Sequence, residues 1–310
     1  MTRSPDTAAV TVIDEPLPPP QTPFQRFASD FMESELAVLG LVVFTLIFLG
    51  AVLAPLISPQ NPYDLMQLDI MNGMLPPGGV DTSGEMTFWL GTDDQGRDIL
   101  SGILYGLRIS LFVGVASAFI SLIIGGAAGL FSAYMGGRWD AFLMRIVDIQ
   151  LSFPAILIAL ILLAVLGQGI DKVIIALVVT QWAYYARTVR GSALVERRKE
   201  YVEAAHCLAL GTRRIIFHHL LPNCMPPLIV VVTMRIAYAV MLEATLSFLG
   251  IGLPITEPSL GLLISNGFEY MLSGKYWVSF FPGIALLVTI VSINLVGDHL
   301  RDILNPRLQR

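Results

Sequence analysis

The chain has 310 residues, 55% of them hydrophobic and 14% charged, with a net charge of −5 and a mean hydropathy of +0.69. A soluble domain carries about 25% charged residues, and a chain this apolar would leave large apolar patches exposed to water. Composition therefore excludes an ordinary soluble domain and a basic nucleic-acid-binding domain, and directs the reading to a membrane protein.

Residues 1–30 hold Pro16, Pro18, Pro19, Pro20 and Pro23 and lack the apolar stretch of a signal peptide, so they read as a disordered tail. Residues 31–310 read as one membrane domain. A spanning helix needs about 20 mostly apolar residues. The first uncharged run is 36–63, its apolar part ending near Ile57. The loop 58–108 follows, rich in Pro, Gly and Asp, with seven acids. The second and third runs are 109–137 and 149–170. The fourth, 173–186, is short, but a helix over 171–190 crosses if its terminal cations snorkel. The fifth is 224–253, interrupted by Arg235 and Glu243, and the sixth is 276–297. Six transmembrane helices in an all-α, polytopic membrane protein are predicted, with both termini on one side.

The positive-inside rule orients them. With both termini cytosolic, fourteen Lys and Arg fall inside and four (Arg97, Arg108, Lys172 and Lys275) outside, with Arg235 within the membrane. The loop 58–108 is then extracytoplasmic and the segment 187–222 cytosolic, and the latter alone holds seven cations.

That cytosolic segment contains "ERRKEYVEAAHCLALGTRRIIFHHLLPN", which is long for a structureless connection. Tyr201, Ala204, Ala205 and Leu208 recur at i, i+3, i+4 and i+7, one face of a helix, and Glu196, Glu200 and Glu203 suit its positive N-terminal end. Gly211 and Thr212 break it before Pro222. Such a helix serves either as a docking surface or as an interfacial helix on anionic lipid; periodicity leaves both open.

Elsewhere, chemistry is sparse. No GxxxxGK[ST] phosphate loop occurs, so the chain does not hydrolyse ATP by that route, and no catalytic residues are indicated. "GTDDQGRD" lacks the acid that would complete a calcium loop, since Gly102 stands there; it reads as a loop closed by Asp93, Asp94 and Asp98. His206, Cys207, His218, His219 and Cys224 fit no zinc spacing, so no metal site is expected. Gly125 and Gly129 form a GxxxG suited to close helix packing. Arg235 and Glu243 lie about 12 Å apart along a helix and about 80° round it, too divergent to pair. Intramembrane charges line a solute route or bond to another span, and both readings stand.

The order of motifs carries a resemblance. "EAA" at 203–205, followed at a fixed distance by "LP" ending at Pro222, resembles the signature loop of ABC importer permeases. "LGTDDQGRDILSGILYGLRISLFVG", "LSFPAILIALIL", "EATLSFLGIGLP" and the terminal "GDHLRDILNPRLQR" are similar to permeases for di- and oligopeptides, nickel and related solutes, with the second permease subunit of dipeptide importers nearest. The match runs from about Leu36 to the C-terminus. The resemblance implies a type I importer fold with a cytosolic coupling helix in which Glu203, Ala204, Ala205, Leu208, Ala209 and Gly211 meet a cytosolic ATPase. It implies as partners a second permease, two ATPase subunits or domains carrying ATP and Mg, and an extracytoplasmic solute-binding protein. The location implied is a bacterial inner membrane and the cargo a short peptide, with nickel or a glutathione-like solute as the alternative. Arg235 and Glu243 are the candidate path residues; an ion-coupled secondary carrier would use the same two charges, and no convincing internal repeat supports it. The family usually has Gly where Ala209 stands, Arg where Gly102 stands and Asp where Asn305 stands. With Gly211 two residues later, the coupling helix is expected to turn late or to be more rigid, since Ala favours helix over Gly by about 1 kcal/mol.

Overall fold

The computed structural model describes residues 22–304. Helix α1 (Pro23–Met32) starts at a capping box: the Thr22 hydroxyl accepts the Gln25 N–H at 3.3 Å, and the Gln25 side chain accepts the Thr22 N–H at 3.0 Å. Residues 1–21 of the expected tail lie outside the described residues. From Pro23 the tail assignment is corrected, because this box gives the chain a helical start.

Helix α2 (Glu35–Val52) is capped by Ser34 and stops short of Pro55, which has no N–H to donate to the carbonyl four residues back. After the one-turn α3 (Ala54–Ile57), the segment to Asp98 is ordered by its own polar groups. Strands β1 (Gly79–Val80) and β2 (Thr87–Phe88) form a small antiparallel hairpin whose turn is held by Asp81, accepting the Glu85 N–H at 2.9 Å. Asp93 accepts the N–H groups of Gln95 and Arg97 at 2.9 and 2.8 Å, and Asp98 accepts the Ser101 N–H at 2.8 Å. The loop is thus closed by Asp93 and Asp98, while the Asp94 side chain is exposed. Burial pushes the Asp93 carboxyl up to about 6.

With Asp98 as its cap, α4 (Ile99–Met135) begins ten residues before the uncharged run and reaches 37 residues, about 55 Å. It ends at Gly136, whose φ of +64° few other residues adopt. Then come α5 (Gly137–Ser152) and α6 (Ala155–Leu166), bent by 90° about Phe153 and Pro154. The span expected over 149–170 is not one continuous helix: Pro154 breaks it, and the 12 residues of α6 alone reach only about 18 Å, short of the roughly 30 Å hydrocarbon core. Next is α7 (Ile170–Glu196). It is followed by the short α8 (Glu200–Cys207) and by one continuous rod, Thr212–Phe248, comprising α9 (Thr212–Arg214), a wide-turned stretch Ile215–Leu220 and α10 (Leu221–Phe248). The wide turns have a local cause: Pro222 would clash with the carbonyl four residues back, at His218, in a regular helix. Helix α11 (Leu260–Phe268) and α12 (Trp277–Leu304) complete the chain.

Among the described residues, four helical segments (α2, α4, the 212–248 rod and α12) are long and apolar enough to cross a membrane, or five if the bent α5–α6 pair counts as one. Helix α7 is not of that set, having Gln181, Trp182, Tyr184 and Tyr185 at its centre. It need not be apolar all round, because Val173, Leu177, Tyr185 and Val189 on it are fully buried.

Small residues let the helices touch. A Cβ added to Gly125 would sit 2.2 Å from the Trp182 carbonyl oxygen, and one on Gly129 would sit 2.4 Å from that of Ala186, so the GxxxG packs α4 onto α7. Gly261 of α11 meets the Ala244 carbonyl in the same way. One apolar cluster joins α4, α6, α7 and α10 through Val113, Leu163, Leu177 and Leu246; a second joins α2, α4, α11 and α12 through Ala51, Ile103, Leu260 and Ile293. His299 of α12 contacts the Asp30 carbonyl at 3.2 Å, placing α1 at the end of the bundle where α4 finishes, opposite the 58–98 segment.

Candidate functional site

Helix α8 follows α7 with a short break, and the junction is tied by polar contacts. Arg197 donates to the Ala133 carbonyl at 2.8 Å, the Lys199 ammonium pairs with Glu196 at 2.7 Å, and the Tyr201 hydroxyl donates to Glu196 at 2.7 Å. Burial, followed by the Glu196 carboxylate, pushes the Tyr201 hydroxyl up to about 12. Tyr134, at the end of α4, hydrogen-bonds Thr212 at 3.0 Å. The start of the 212–248 rod is thereby fixed to the tips of α4 and α7.

One side of α8 packs inward. Val202 and Ala205 join Ile215 and Leu220 in a small core at the root of α10, with Tyr134, Tyr201 and Leu210 around it. This splits the stripe expected from periodicity. Ala205 is 3% exposed and faces the protein, whereas Leu208 is 74% exposed, and Glu203 and Ala204 also point outward. At about 100° per residue, the buried face centres between Val202 and Ala205, about 70° round from Tyr201. Ala205 is therefore an anchor of the helix and not part of its open surface, which corrects its assignment to a docking face. Val202, Ile215 and Leu220 are the residues that sequence reasoning missed; the i, i+3 pair of Val202 and Ala205 was their only local signal.

The helix ends in a Schellman turn. Leu210 N–H bonds the Ala205 carbonyl at 3.1 Å, and Ala209 N–H bonds that of His206 at 2.9 Å. The left-handed residue this turn requires is Ala209, at φ +52°, while Gly211 has φ −62°. The helix does not turn late. It turns at Ala209, and the alanine there carries the cost of about 1–2 kcal/mol that a Cβ meets in left-handed backbone.

The two intramembrane charges do not meet. Glu243 is fully buried: its Oε2 accepts the Ser110 hydroxyl at 2.7 Å and its Oε1 the Ser247 hydroxyl at 2.8 Å. It bonds α10 to α4 inside this chain, the second of the two readings that the sequence left open for it. Arg235 is half-buried, its guanidinium 3.5 Å from the centre of the Tyr184 ring and 5.4 Å from that of Tyr238. A cation stacked on π faces is stabilised without a counter-ion and keeps guanidinium edges free to donate.

Comparison with known proteins agrees with this architecture. The model of the family described as "Binding-protein-dependent transport system inner membrane component" matches residues 121–310, and that of the "N-terminal TM domain of oligopeptide transport permease C" matches residues 22–77. The chain is 39% identical over 293 residues to the dipeptide transport system permease protein DppC of Escherichia coli K12, covering 94% of this chain and 96% of that one. It is 39% identical over 280 residues to the oligopeptide transport system permease protein OppC of Bacillus subtilis 168, covering 90% and 88%. Among solved structures, an inward-facing conformation of the MetNI methionine ABC transporter superposes with a TM-score of 0.54 at 21% identity, covering 66% of this chain and 96% of that chain. That likeness speaks for the fold alone.

Proposed function

The chain belongs to the family of binding-protein-dependent transport system inner membrane components, and from that premise we infer that it is a permease subunit of a peptide ABC importer, a transport subunit and not an enzyme. In this reading the importer carries short peptides across the inner membrane. A second permease completes the path, two partner ATPases bind ATP and Mg, and a solute-binding protein delivers cargo from outside. Six crossings result when α7 is added to the four long segments and the bent α5–α6 pair. The termini then lie in the cytosol, on the side of α8.

The observation that carries the coupling part of this reading is the two-sided setting of α8. Its inner face, Val202 and Ala205, is packed on Ile215 and Leu220 at the root of the 212–248 rod, and its outer face, Glu203, Ala204 and Leu208, is open. A partner ATPase gripping that outer face pulls on a short rigid helix instead of a loop. Because the rod is continuous, movement of α8 is delivered to the membrane-spanning part of α10. Ala209 and Gly211 shape the turn between handle and rod. ATP closes the ATPase dimer, α8 travels with it, and the path switches from inward- to outward-facing. Arg235, with its free guanidinium edges, remains the candidate path residue for a peptide carboxylate.

Uptake of a labelled dipeptide into proteoliposomes tests this. Uptake is expected only with ATP, both permeases, the ATPases and the binding protein. Uptake driven by a proton gradient without ATPase would refute it.

A further inference from the structure

A cavity of about 1050 Å³ opens between α2, α4, the start of α7 and α10, and the transport reading does not use it. Its chemistry is strongly polarised. At one end stand Arg108, Glu257 and Tyr63; the remaining walls are apolar, with Phe44, Phe112 and Phe119 prominent. The Tyr63 hydroxyl and the Glu257 carboxylate line the cavity together, close enough to interact electrostatically. The Arg108 guanidinium is exposed and has no ion pair or hydrogen bond among the described residues.

Position along the helices sets the depth. Arg108 is the last charge before the uncharged run 109–137 of α4, so it marks the interface between headgroups and hydrocarbon. From Arg108 to Phe119 the apolar wall of α4 runs eleven residues, about 16 Å; on α2, Val52 to Phe44 spans about 12 Å. One leaflet of the hydrocarbon core is about 15 Å thick. The cavity is therefore one leaflet deep, with charge of both signs only at the headgroup level.

A short peptide does not suit this site. Its amides would enter a wall without donors or acceptors, and each unpaired amide buried there costs binding. An anionic lipid would answer Arg108 but leave its phosphate beside the Glu257 carboxylate without a cation between them. We propose that this cavity binds a zwitterionic aminophospholipid of the outer leaflet, its phosphate on Arg108, its primary ammonium on Glu257 and an acyl chain along the phenylalanine wall. Tyr63, on the same lining as Glu257, adds a hydroxyl at the headgroup end.

The complete importer, purified in detergent, is loaded in turn with phosphatidylethanolamine, phosphatidylcholine and phosphatidylglycerol, and bound lipid is counted by native mass spectrometry. Phosphatidylethanolamine should be retained about tenfold better than the other two, the value of one charge-assisted hydrogen bond. Arg108→Ala should lower its retention about tenfold and Arg108→Lys should restore most of it. Glu257→Gln should erase the preference for phosphatidylethanolamine over phosphatidylglycerol. Ala116→Phe, which leaves both charges and fills the slot, should expel all three lipids while the partner subunits still co-purify. The proposal is overturned if the wild-type complex holds no lipid there because the second permease fills the groove. Displacement of phosphatidylethanolamine by a short peptide, or unchanged retention in Arg108→Ala and Glu257→Gln, would overturn it equally.

Discussion

Replacing Leu208 by Asp should detach the ATPase while leaving this chain folded; Ala205→Phe should do the reverse. Leu208 is 74% exposed, so its loss should change the stability of the chain by less than about 0.5 kcal/mol. Docked against an ATPase, a fully covered leucine contributes roughly 1.5–3 kcal/mol, and a carboxylate in its place adds a desolvation cost. The ATPase should bind at least about tenfold to a hundredfold more weakly. Ala205 is 3% exposed against Val202, Ile215 and Leu220, so a phenyl ring there overpacks the cluster by about 1–3 kcal/mol. Its effect should appear as faster hydrogen exchange over 200–220, with coupling lost as a consequence. The assay is titration of the ATPase onto the permease pair in nanodiscs, run beside dipeptide uptake and hydrogen exchange. Unchanged ATPase affinity in Leu208→Asp would refute the assignment of faces. So would an Ala205→Phe variant that loses the ATPase with normal exchange.

Three further outcomes are expected. Ala209→Gly removes a left-handed Cβ but adds chain entropy when unfolded, for a net gain of roughly 0.5–1 kcal/mol; exchange protection at Leu210 should rise severalfold, and a fall would show that the turn is not strained. Asp93 has a native carboxyl value of about 6 against an ordinary 3.8, so between those values the folded loop binds more protons than the unfolded one. Loop stability should therefore be greatest in acid and fall by about 3 kcal/mol as pH rises to 6, levelling off above. Hydrogen exchange over 69–98 should follow that curve, and Asp93→Asn should flatten it. Glu243→Ala leaves the Ser110 and Ser247 hydroxyls buried without their acceptor, at about 1–3 kcal/mol each, whereas Glu243→Gln keeps an acceptor for one of them. Thermal aggregation of the detergent-purified complex should come markedly earlier for Ala than for Gln; equal midpoints would argue against the Ser110 bridge.

How far the chain was readable follows from the range of each interaction. The helices α2, α4, α10 and α12 were legible because the bilayer demands length and apolarity, and both are written locally. The loop closure by Asp93 and Asp98 was legible because each bonds backbone within four residues of itself. The break before α6 was present as Pro154 but was outweighed by the uncharged run around it. Helix α11 was hidden because it is nine residues long and makes its case only by fitting Gly261 against Ala244.

The amino-acid sequence by itself determined that this is a polytopic membrane protein, that its cations gather at 187–222, and that its motifs follow the order of a peptide permease. These are properties of composition and spacing, which need no partner to be defined. Tertiary structure alone decided which way the side chains face. Two turns of helix cannot set the phase of α8; Ile215 and Leu220, arriving from beyond Ala209, set it by burying Val202 and Ala205 and leaving Leu208 outside. Glu243 likewise acquired its role from Ser110, 133 residues away, because a buried carboxylate is defined by the donors that reach it.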